Sequence, residues 1–331
     1  MKKILLGFVV ICLALGVGSA SYAGKTLTWT AGGVGGGWYM MAGGLAQIIQ
    51  QATGIKIKVV PGGGTKNPAL INRGDCELGW GLPFINNAAF NGKDPYKSKL
   101  KNLRALAGGM SMNHFHFYVG ANTPFKSMDE IFGKKKAIRI AVSPSGTSDE
   151  WVFRKVLAYY KTNYKDLKKA GFKFFRGNYS SQTNQFKDRN VDAVFTFLAA
   201  PAAAVTEASV GRKLRLIPFP KGLLKYLSQF GIITKTIKAG TYPKAENANQ
   251  DIVTAAAGSV ITTNASLPDD VAYKITKAIF DNIDKVRQIH ASLKPYKLED
   301  GPTGTGIPLH PGAIKFYKEK GVLKYSEETT P

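Results

Sequence analysis

The sequence predicts an α/β protein in which short strands alternate with helices. Three observations predict it: apolar runs of strand length recur along the chain, helical apolar patterns lie between them, and glycine clusters follow several of the runs. Apolar residues make up 44% of the 331 residues and charged residues 20%, so the chain can bury a core and is not disordered by composition. This length fits about two domains.

The N-terminus, residues 1–23, has the three parts of a secretory signal peptide. Two lysines precede an almost unbroken apolar run over residues 4–17, and the small residues Ser21 and Ala23 occupy the −3 and −1 positions of a cut before Gly24. The alternative, a retained membrane anchor, fits less well because the run is short for a span of about 20 residues. We therefore expect a cleaved signal peptide and a soluble, exported protein.

The elements beyond residue 23 alternate in type. Short apolar runs predict strands at residues 25–30, 55–60, 103–108, 115–119, 138–142, 172–175, 191–197 and 252–262. Apolar residues at helical spacing predict helices at residues 39–51, 150–160 and 271–293. Ser127 followed by Glu130 is a capping-box pattern and predicts a short helix over 127–132. Alternation of this kind implies parallel sheets covered by helices.

Three glycine-rich loops each follow a predicted strand and precede a helical pattern. They lie at residues 32–39, 61–67 and 143–148. Each places small residues, backbone N–H groups and hydroxyls at the positive end of a helix, where anions are stabilised. In open α/β sheets, ligands bind beyond the carboxyl ends of the strands, where these loops should lie. Together they predict a site for an anionic small molecule.

Nucleotide binding is excluded by its missing motifs. The glycine spacing that begins at Gly33 and Gly35 ends on Trp38, so the dinucleotide fingerprint fails. Lys56 and Lys58 stand about where a ribose-binding acid would be expected. The phosphate loop G-x-x-x-x-G-K-[ST] does not occur in the chain.

The histidines and the cysteines do not define a catalytic or metal site. His114 and His116 alternate with phenylalanines on a predicted strand, so both face one side. Their spacing could begin a metal site, but no further ligand cluster completes it, and we expect a structural or hinge-lining role. Cys76 follows Asp75 before an apolar strand and is predicted to be a small buried filler rather than a nucleophile. Nothing in the sequence requires an enzyme.

The charge of the chain is strongly positive. Lysine and arginine total 45 against 22 acidic residues, for a formal net charge of +23. We expect the lysines at 134–136 and those between 161 and 173 to form solvated surface. Nucleic-acid binding is excluded, since it would favour arginines interleaved with aromatics within a known module, and the exported destination argues against it. The positive field would attract anionic solutes from a distance.

An ordered set of short motifs runs along the whole chain after the N-terminal segment. In chain order, the set consists of Gly36-Gly37-Trp38-Tyr39, Gly63-Gly64-Thr65-Lys66-Asn67, Gly74-Asp75-Cys76-Glu77-Leu78, Pro144-Ser145-Gly146-Thr147, Val191-Asp192-Ala193-Val194-Phe195, Ala239-Gly240-Thr241-Tyr242-Pro243 and Leu309-His310-Pro311-Gly312-Ala313. Their order and spacing resemble the TAXI family, the TRAP-associated extracytoplasmic solute receptors of TRAP transporters.

The resemblance implies a type-II periplasmic binding protein with two lobes, each a mixed sheet flanked by helices, and a ligand cleft between them. The first lobe is expected to take residues 24–112 and 241–331, and the second lobe residues 113–240. The implied function is noncatalytic capture of a small carboxylate, such as glutamate or a related organic acid, in the periplasm. The implied partner is a TRAP membrane permease, and the implied receptor is a monomer without cofactor or metal.

The same resemblance places the ligand-binding residues on the three loops. They are Gly36, Gly37, Trp38, Tyr39, Gly64, Thr65, Asn67, Ser145, Gly146, Thr147 and Ser148. Trp38 stands where the family has tyrosine, and Pro83 and Phe84 stand near a position that is commonly polar, so a more apolar and aromatic pocket for a less polar acid is expected. Arg176 is expected either to grip a carboxylate or to form a salt bridge. Phe197 is expected to stack on the ligand or to belong to the core.

Two other classes of protein remain as alternatives. A secreted enzyme could act on a small carboxylate in the same cleft, although the catalytic set is missing. An exported structural or adhesive protein is disfavoured by the glycine loops and by the lack of internal repeats.

Overall fold

The structure is a computed structural model that describes residues 25–34 and 36–323. The predicted signal peptide, residues 1–23, lies outside these residues. The strands are β1 (Leu27–Thr30), β2 (Ile57–Val60), β3 (Leu78–Gly81), β4 (Leu103–Ala107), β5 (Met112–Gly120), β6 (Arg139–Val142), β7 (Lys173–Arg176), β8 (Ala193–Ala199), β9 (Leu214–Leu216), β10 (Ile233–Ile237), β11 (Ile252–Gly258) and β12 (Val260–Asn264).

The helices cover both sheets that these strands form. They are α1 (Gly37–Thr53), α2 (Asn67–Arg73), α3 (Pro83–Asn91), α4 (Ser148–Tyr159), α5 (Tyr164–Lys169), α6 (Tyr179–Lys187), α7 (Ala203–Gly211), α8 (Lys221–Ser228), α9 (Asp269–Asp281), α10 (Ile283–Ile289) and α11 (Pro311–Glu319). A single helical turn at Asp129–Gly133 replaces the short helix that was predicted over 127–132. The single helix predicted over 271–293 is divided at Asn282 into α9 and α10, and a further short turn follows.

The first sheet has five strands in the order β2-β1-β3-β12-β4. Strands β2, β1 and β3 are parallel, whereas β12 runs antiparallel to both of its neighbours, so the sheet is mixed rather than parallel. Trp29 and Trp80 are fully buried on it, with ring centroids 5.4 Å apart. Helices α1, α9 and α11 bury their apolar faces in the same core, and Cys76 is buried at its edge as predicted.

The second sheet has seven strands and is also mixed. Six of them follow the order β10-β11-β5-β8-β6-β7, and β9 pairs with β5. Strand β6 lies parallel to β7 and β8, whereas β5 is antiparallel to β8 and β11. Phe115, Phe153 and Phe195 pack within the aromatic core on one face, which α4 and α8 cover. The two sheets with their flanking helices form the two lobes.

The chain passes between the sheets at residues 108–111 and again at Ser259. The sequence predicted a lobe boundary after residue 112 and a return to the first lobe at residue 241. Strand β11, however, pairs with β10 and β5 in the second sheet. The apolar run over 252–262 is not one strand, because Ser259 divides it between the two sheets. We therefore propose that the second lobe runs to Gly258 and that the first lobe resumes at Val260.

The side chain of Ser259 ties both crossings to the first lobe. Its hydroxyl oxygen accepts hydrogen bonds from Trp38 Nε1 at 2.8 Å and from Asn113 Nδ2 at 2.9 Å. The same hydroxyl donates to the carbonyl oxygen of Ser111 at 3.1 Å. The two connecting segments and the first turn of α1 are thus joined at one buried hydroxyl.

Candidate functional site

The three glycine loops lie at the carboxyl ends of parallel strands. The first loop follows β1 and leads into α1, and the second follows β2 and leads into α2. The third loop, residues 143–147, joins β6 to α4 in the second lobe. Because β1 and β2 are parallel neighbours, the first two loops are adjacent, and the N–H of Gly62 donates to the carbonyl oxygen of Gly32 at 3.1 Å.

The second and third loops meet across the lobes. The hydroxyl of Thr65 donates to the carbonyl oxygen of Gly146. Gly64 packs so closely on the start of α4 that a Cβ atom on it would lie 2.7 Å from Ser148 Oγ. A Cβ atom on Gly146 would lie 3.8 Å from Cε of Lys66, so that lysine also reaches the facing loop. Loops from both lobes therefore form one continuous surface.

Asn67 is buried and holds the first two loops together. Its Oδ1 accepts hydrogen bonds from the Thr30 hydroxyl and the N–H of Gly63, and its Nδ2 donates to the carbonyl oxygens of Ala31 and Trp80. Each polar atom of the Asn67 side chain therefore already has partners within the first lobe. Asn67 positions the loops of the site.

The third loop is fixed by Asp149, a residue that the sequence analysis did not single out. Its carboxylate Oδ2 accepts hydrogen bonds from the Ser143 hydroxyl at 2.9 Å and from the N–H of Phe197 at 3.1 Å, and the Tyr179 hydroxyl lies 3.1 Å away. Burial raises the pKa of Asp149 above its ordinary value, against these hydrogen bonds, which favour the ionised form. The carboxylate joins the loop to β8 and α6.

Tyr179 is a second residue that sequence reasoning missed, and it faces the first loop from the other lobe. A Cβ atom on Gly36 would lie 3.8 Å from Cε2 of the Tyr179 ring. The residue follows β7 in the segment Gly177-Asn178-Tyr179, where Asn178 caps α6 by accepting the N–H of Ser181. That strand-to-helix setting, which the three glycine loops share, is the signal that could have identified it.

The predicted aromatic residues lie in different surroundings. The Trp38 ring stacks on Trp80 at 6.0 Å and is half-buried beside the crossings, and Tyr39 is also half-buried. Phe197 is buried and stacks on Phe115 at 4.0 Å. Phe84, which follows Pro83 in α3, is buried against Trp151 of the second lobe at 5.7 Å. Of these residues, Trp38 and Tyr39 are the partly exposed aromatics next to the first loop.

Arg176 forms an ion pair within the second lobe. Its guanidinium lies 3.7 Å from the carboxylate of Glu150 and donates to the hydroxyl of Ser145 at 3.1 Å. The same group lies over the Tyr164 ring, 4.5 Å from its centroid. Ser145 and Gly146 are exposed and Thr147 is half-exposed, and the Thr147 hydroxyl caps α4 by accepting the N–H of Glu150. The salt bridge, one of the two expectations for Arg176, is thus present.

A separate contact joins the lobes beside α3. The carboxylate of Asp94 in the first lobe accepts from Lys155 Nζ at 2.7 Å and from Trp151 Nε1 at 3.0 Å, and Arg154 lies 3.9 Å away. Burial alone would raise the pKa of Asp94, but the hydrogen bond and the charge of Lys155 outweigh it and hold the pKa below its ordinary value. Together with the stack of Phe84 on Trp151, this contact holds the two lobes against each other beside α3.

His114 and His116 lie on one face of β5, as their spacing predicted. The Nδ1–H of His116 donates to the carbonyl oxygen of His114 at 2.9 Å, so Nε2 accepts from the Tyr242 hydroxyl at 2.8 Å. Burial, with a smaller contribution from the charge of Lys235, lowers the pKa of His114 to about 4, and burial lowers that of His116 to about 3. Within residues 25–34 and 36–323, no cluster of three histidine, cysteine or acidic residues could hold a metal ion.

Two mixed α/β lobes, two crossings between them, and loops that meet from both sides are the architecture of the two-lobed periplasmic binding proteins. The chain belongs to the NMT1-like family, whose sequence model matches residues 29–321. No helix in the described part of the chain has the length and apolar character needed to cross a membrane.

Three solved structures share this fold at low sequence identity. MatC from Rhodopseudomonas palustris with bound malate superposes with a TM-score of 0.57 and 12% identity, over 90% of this chain and 99% of that one. A periplasmic transporter gives a TM-score of 0.54 and 14% identity, over 93% and 96% of the two chains. The periplasmic binding protein BugD gives 0.51 and 11%, over 90% and 98%. The fold is therefore common to all four chains.

Proposed function

We propose that this protein is a periplasmic solute-binding receptor that captures a small organic anion between its lobes. The observation that carries the proposal is the meeting of the second and third loops through Thr65 and Gly146. Each of these loops joins a strand to a helix, and the first loop faces Tyr179 across the same gap. Closure of two lobes around a ligand is a common way to bury a small molecule.

The ligand that we propose is a carboxylate. Helix α1 begins at Gly37 without a side-chain cap. The N–H of Tyr39 already donates to the carbonyl oxygen of Gly36, so the N–H groups of Gly37 and Trp38 are the ones available to an anionic group. Lys66 adds a positive charge beside the third loop. MatC, which has the same fold, was solved with malate, and that precedent favours a small organic acid over an apolar ligand. The aromatic rings of Trp38 and Tyr39 favour an acid with an apolar portion.

Membership of the TAXI group and delivery to a TRAP permease remain part of the proposal. Some of the motifs that resemble the TAXI family have structural roles in this protein, and the motif at residues 309–313 is an example. His310 caps α11 by accepting the N–H of Gly312 at 3.2 Å, and a side chain on Gly312 would collide with the carbonyl oxygen of Asp269 in α9. Such motifs stabilise the structure of a lobe, so they support an architecture shared with the TAXI family. The permease partner is supported by the order of the motifs alone.

The test is a thermal-shift screen of the protein from residue 24 to residue 331, unfolded and refolded to remove carried-over ligand. The screen covers amino acids, dicarboxylates, and hydroxy, keto and aromatic acids. An acid present at 100 times its dissociation constant should add about 2.7 kcal/mol of stability and raise the melting temperature.

Recovery of the acid unchanged after incubation would support a receptor. A chemically altered acid would instead favour the enzyme alternative. No shift with any acid would contradict carboxylate capture.

A further inference from the structure

The end of the second lobe at the amino ends of β6 and β7, opposite the third loop, carries a dense group of lysines. We call it the distal lysine patch, and it consists of Lys134, Lys135, Lys136, Lys161, Lys165, Lys168, Lys169 and Lys173. All eight side chains are exposed. The segments that carry them, 134–136 and 161–173, contain no arginine and one acidic residue, Asp166.

The fold brings these segments onto one surface. Strands β6 and β7 are parallel, and Arg139 at the start of β6 lies opposite Lys173 at the start of β7. The N–H of Lys173 donates to the carbonyl oxygen of Ile138, and a Cβ atom on Gly171 would lie 3.3 Å from Cβ of Ala137. The loops that precede the two strands therefore touch, and α5 continues the same surface.

The eight positive charges of the patch are only partly offset by the three carboxylates around it, of which Glu130 interacts electrostatically with Lys134 and Lys136. Asp166 accepts a hydrogen bond from Asn163, Asp129 accepts from the Tyr160 hydroxyl, and Glu130 accepts the N–H of Lys126. None of the eight lysines forms an ion pair among the residues that the structure describes. Like charges at this density repel one another, and an opposing negative surface would relieve that repulsion.

We propose that the distal lysine patch binds the headgroups of an anionic phospholipid membrane. Interfaces between proteins are enriched in arginine and aromatic residues and depleted in lysine, whereas a diffuse anionic surface attracts lysines without shape complementarity. No aromatic side chain in or next to these segments is fully exposed as an anchor for a protein partner: Phe132 and Phe172 are buried in the aromatic core, and Tyr160 and Tyr164 are half-buried. The composition of the patch therefore fits a lipid surface better than an acidic protein.

Binding through this patch leaves the candidate site free. The patch lies at the amino ends of β6 and β7, whereas the third loop and Arg176 lie at their carboxyl ends. A protein held by the patch thus keeps its glycine loops on the side away from the membrane. Attachment would confine the receptor to the membrane surface without occupying its cleft.

The test measures sedimentation of the protein, residues 24–331, with vesicles of phosphatidylcholine alone or with 30 mol% phosphatidylglycerol. A patch variant carries Lys134→Gln, Lys136→Gln, Lys165→Gln and Lys173→Gln. A matched control carries Lys56→Gln, Lys58→Gln, Lys97→Gln and Lys99→Gln, which removes the same charge from exposed positions of the first lobe.

The unaltered protein should bind only the vesicles that contain phosphatidylglycerol, and high salt should release it. A lysine near an anionic surface contributes about a fivefold factor in partitioning, so removal of four lysines should weaken binding of the patch variant by up to about 600-fold. The control should remain within a few-fold of the unaltered protein. Equal loss in both variants, or binding to neither vesicle, would overturn the proposal.

Two further measurements separate this proposal from its alternatives. Glycerol phosphate at constant ionic strength should not release the protein, and release would indicate a pocket for a single headgroup instead of a surface. The patch variant should keep its melting temperature and its shift with any acid found in the screen. Membrane attachment and carboxylate capture can therefore fail independently.

Discussion

Substitution of Gly64 by alanine should weaken ligand binding because it obstructs the contact between the lobes. The new methyl group would lie 2.7 Å from Ser148 Oγ and 2.8 Å from Ser148 Cβ, both on the opposite lobe. The Cβ atom belongs to the first residue of α4 and cannot rotate away, so the two lobes have to move apart. Gly63 is the matched control, since a Cβ atom there meets nothing within 4 Å.

The size of the effect follows from the cost of overpacking. Extra methylene groups in a packed contact cost about 1–3 kcal/mol. If the ligand binds the closed arrangement, this cost is subtracted from the free energy of binding, and affinity falls by a factor of about 5 to 150. The separate lobes do not contain the collision, so their stability should change little.

The assay is calorimetric titration of both variants with malate, or with the acid that gives the largest shift in the screen. X-ray scattering of the ligand-free proteins provides a second measurement, in which the Gly64→Ala protein should have the larger radius of gyration. Equal affinities for Gly64→Ala and Gly63→Ala would refute the role of this contact in closure.

Three further predictions concern stability and closure. The unfolded chain protonates histidines near pH 6.5, whereas His114 and His116 titrate at about 4 and 3 in the fold. These two histidines together should therefore lower the free energy of unfolding by about 4 kcal/mol between pH 7.5 and pH 5, and His116→Gln should remove about 2 kcal/mol of that fall in denaturant titrations. An unchanged pH dependence of the unfolding free energy in the His116→Gln variant would contradict the lowered pKa of His116. Asp94→Asn should weaken ligand affinity by less than about fivefold, because exposed ion pairs contribute at most about 1 kcal/mol. Asp75→Asn, which breaks an exposed pair within the first lobe, should leave affinity unchanged, and equal losses in the two variants would count against the interlobe contact. Tyr242→Phe removes the hydroxyl that pairs with the N–H of Ala202 and with Nε2 of His116, so it should lower the free energy of unfolding by about 1–3 kcal/mol. A loss near zero would argue against the His116 tautomer in which Nε2 accepts this hydrogen bond.

Local sequence patterns predicted most of the strands and a minority of the helices. Strand-loop-helix units are specified by neighbouring residues, and for that reason the glycine loops and α1 lie where the sequence placed them. The lobe boundary that we propose after Gly258 differs from the one predicted at residue 241, because strand pairing is a long-range property. Nothing in the run over 252–262 shows that Ala256 pairs with His114 while Ile261 pairs with Trp80 in the other sheet.

The candidate site was predictable to the level of its loops but not of its contacts. The sequence indicates that Asn67 lies beside a glycine loop. Only the structure shows that its side-chain amide is already hydrogen-bonded to neighbouring backbone groups. Asp149 and Tyr179 belong to different elements and meet only after the second lobe folds. An acidic residue in the first turn of a helix is common, so no local pattern distinguished Asp149 from a surface carboxylate.

The position of β12 determines the order in which the lobes can be completed as the chain is made. The second lobe is a continuous stretch of chain, so it can fold as soon as β11 has emerged. The first lobe cannot, because β12 lies between β3 and β4 and is the strand that pairs with both. Until residues 260–264 arrive, β4 has no neighbour in its sheet, and the first sheet can consist only of the parallel strands β1, β2 and β3. The first lobe, although it begins the chain, is therefore the lobe that is completed last.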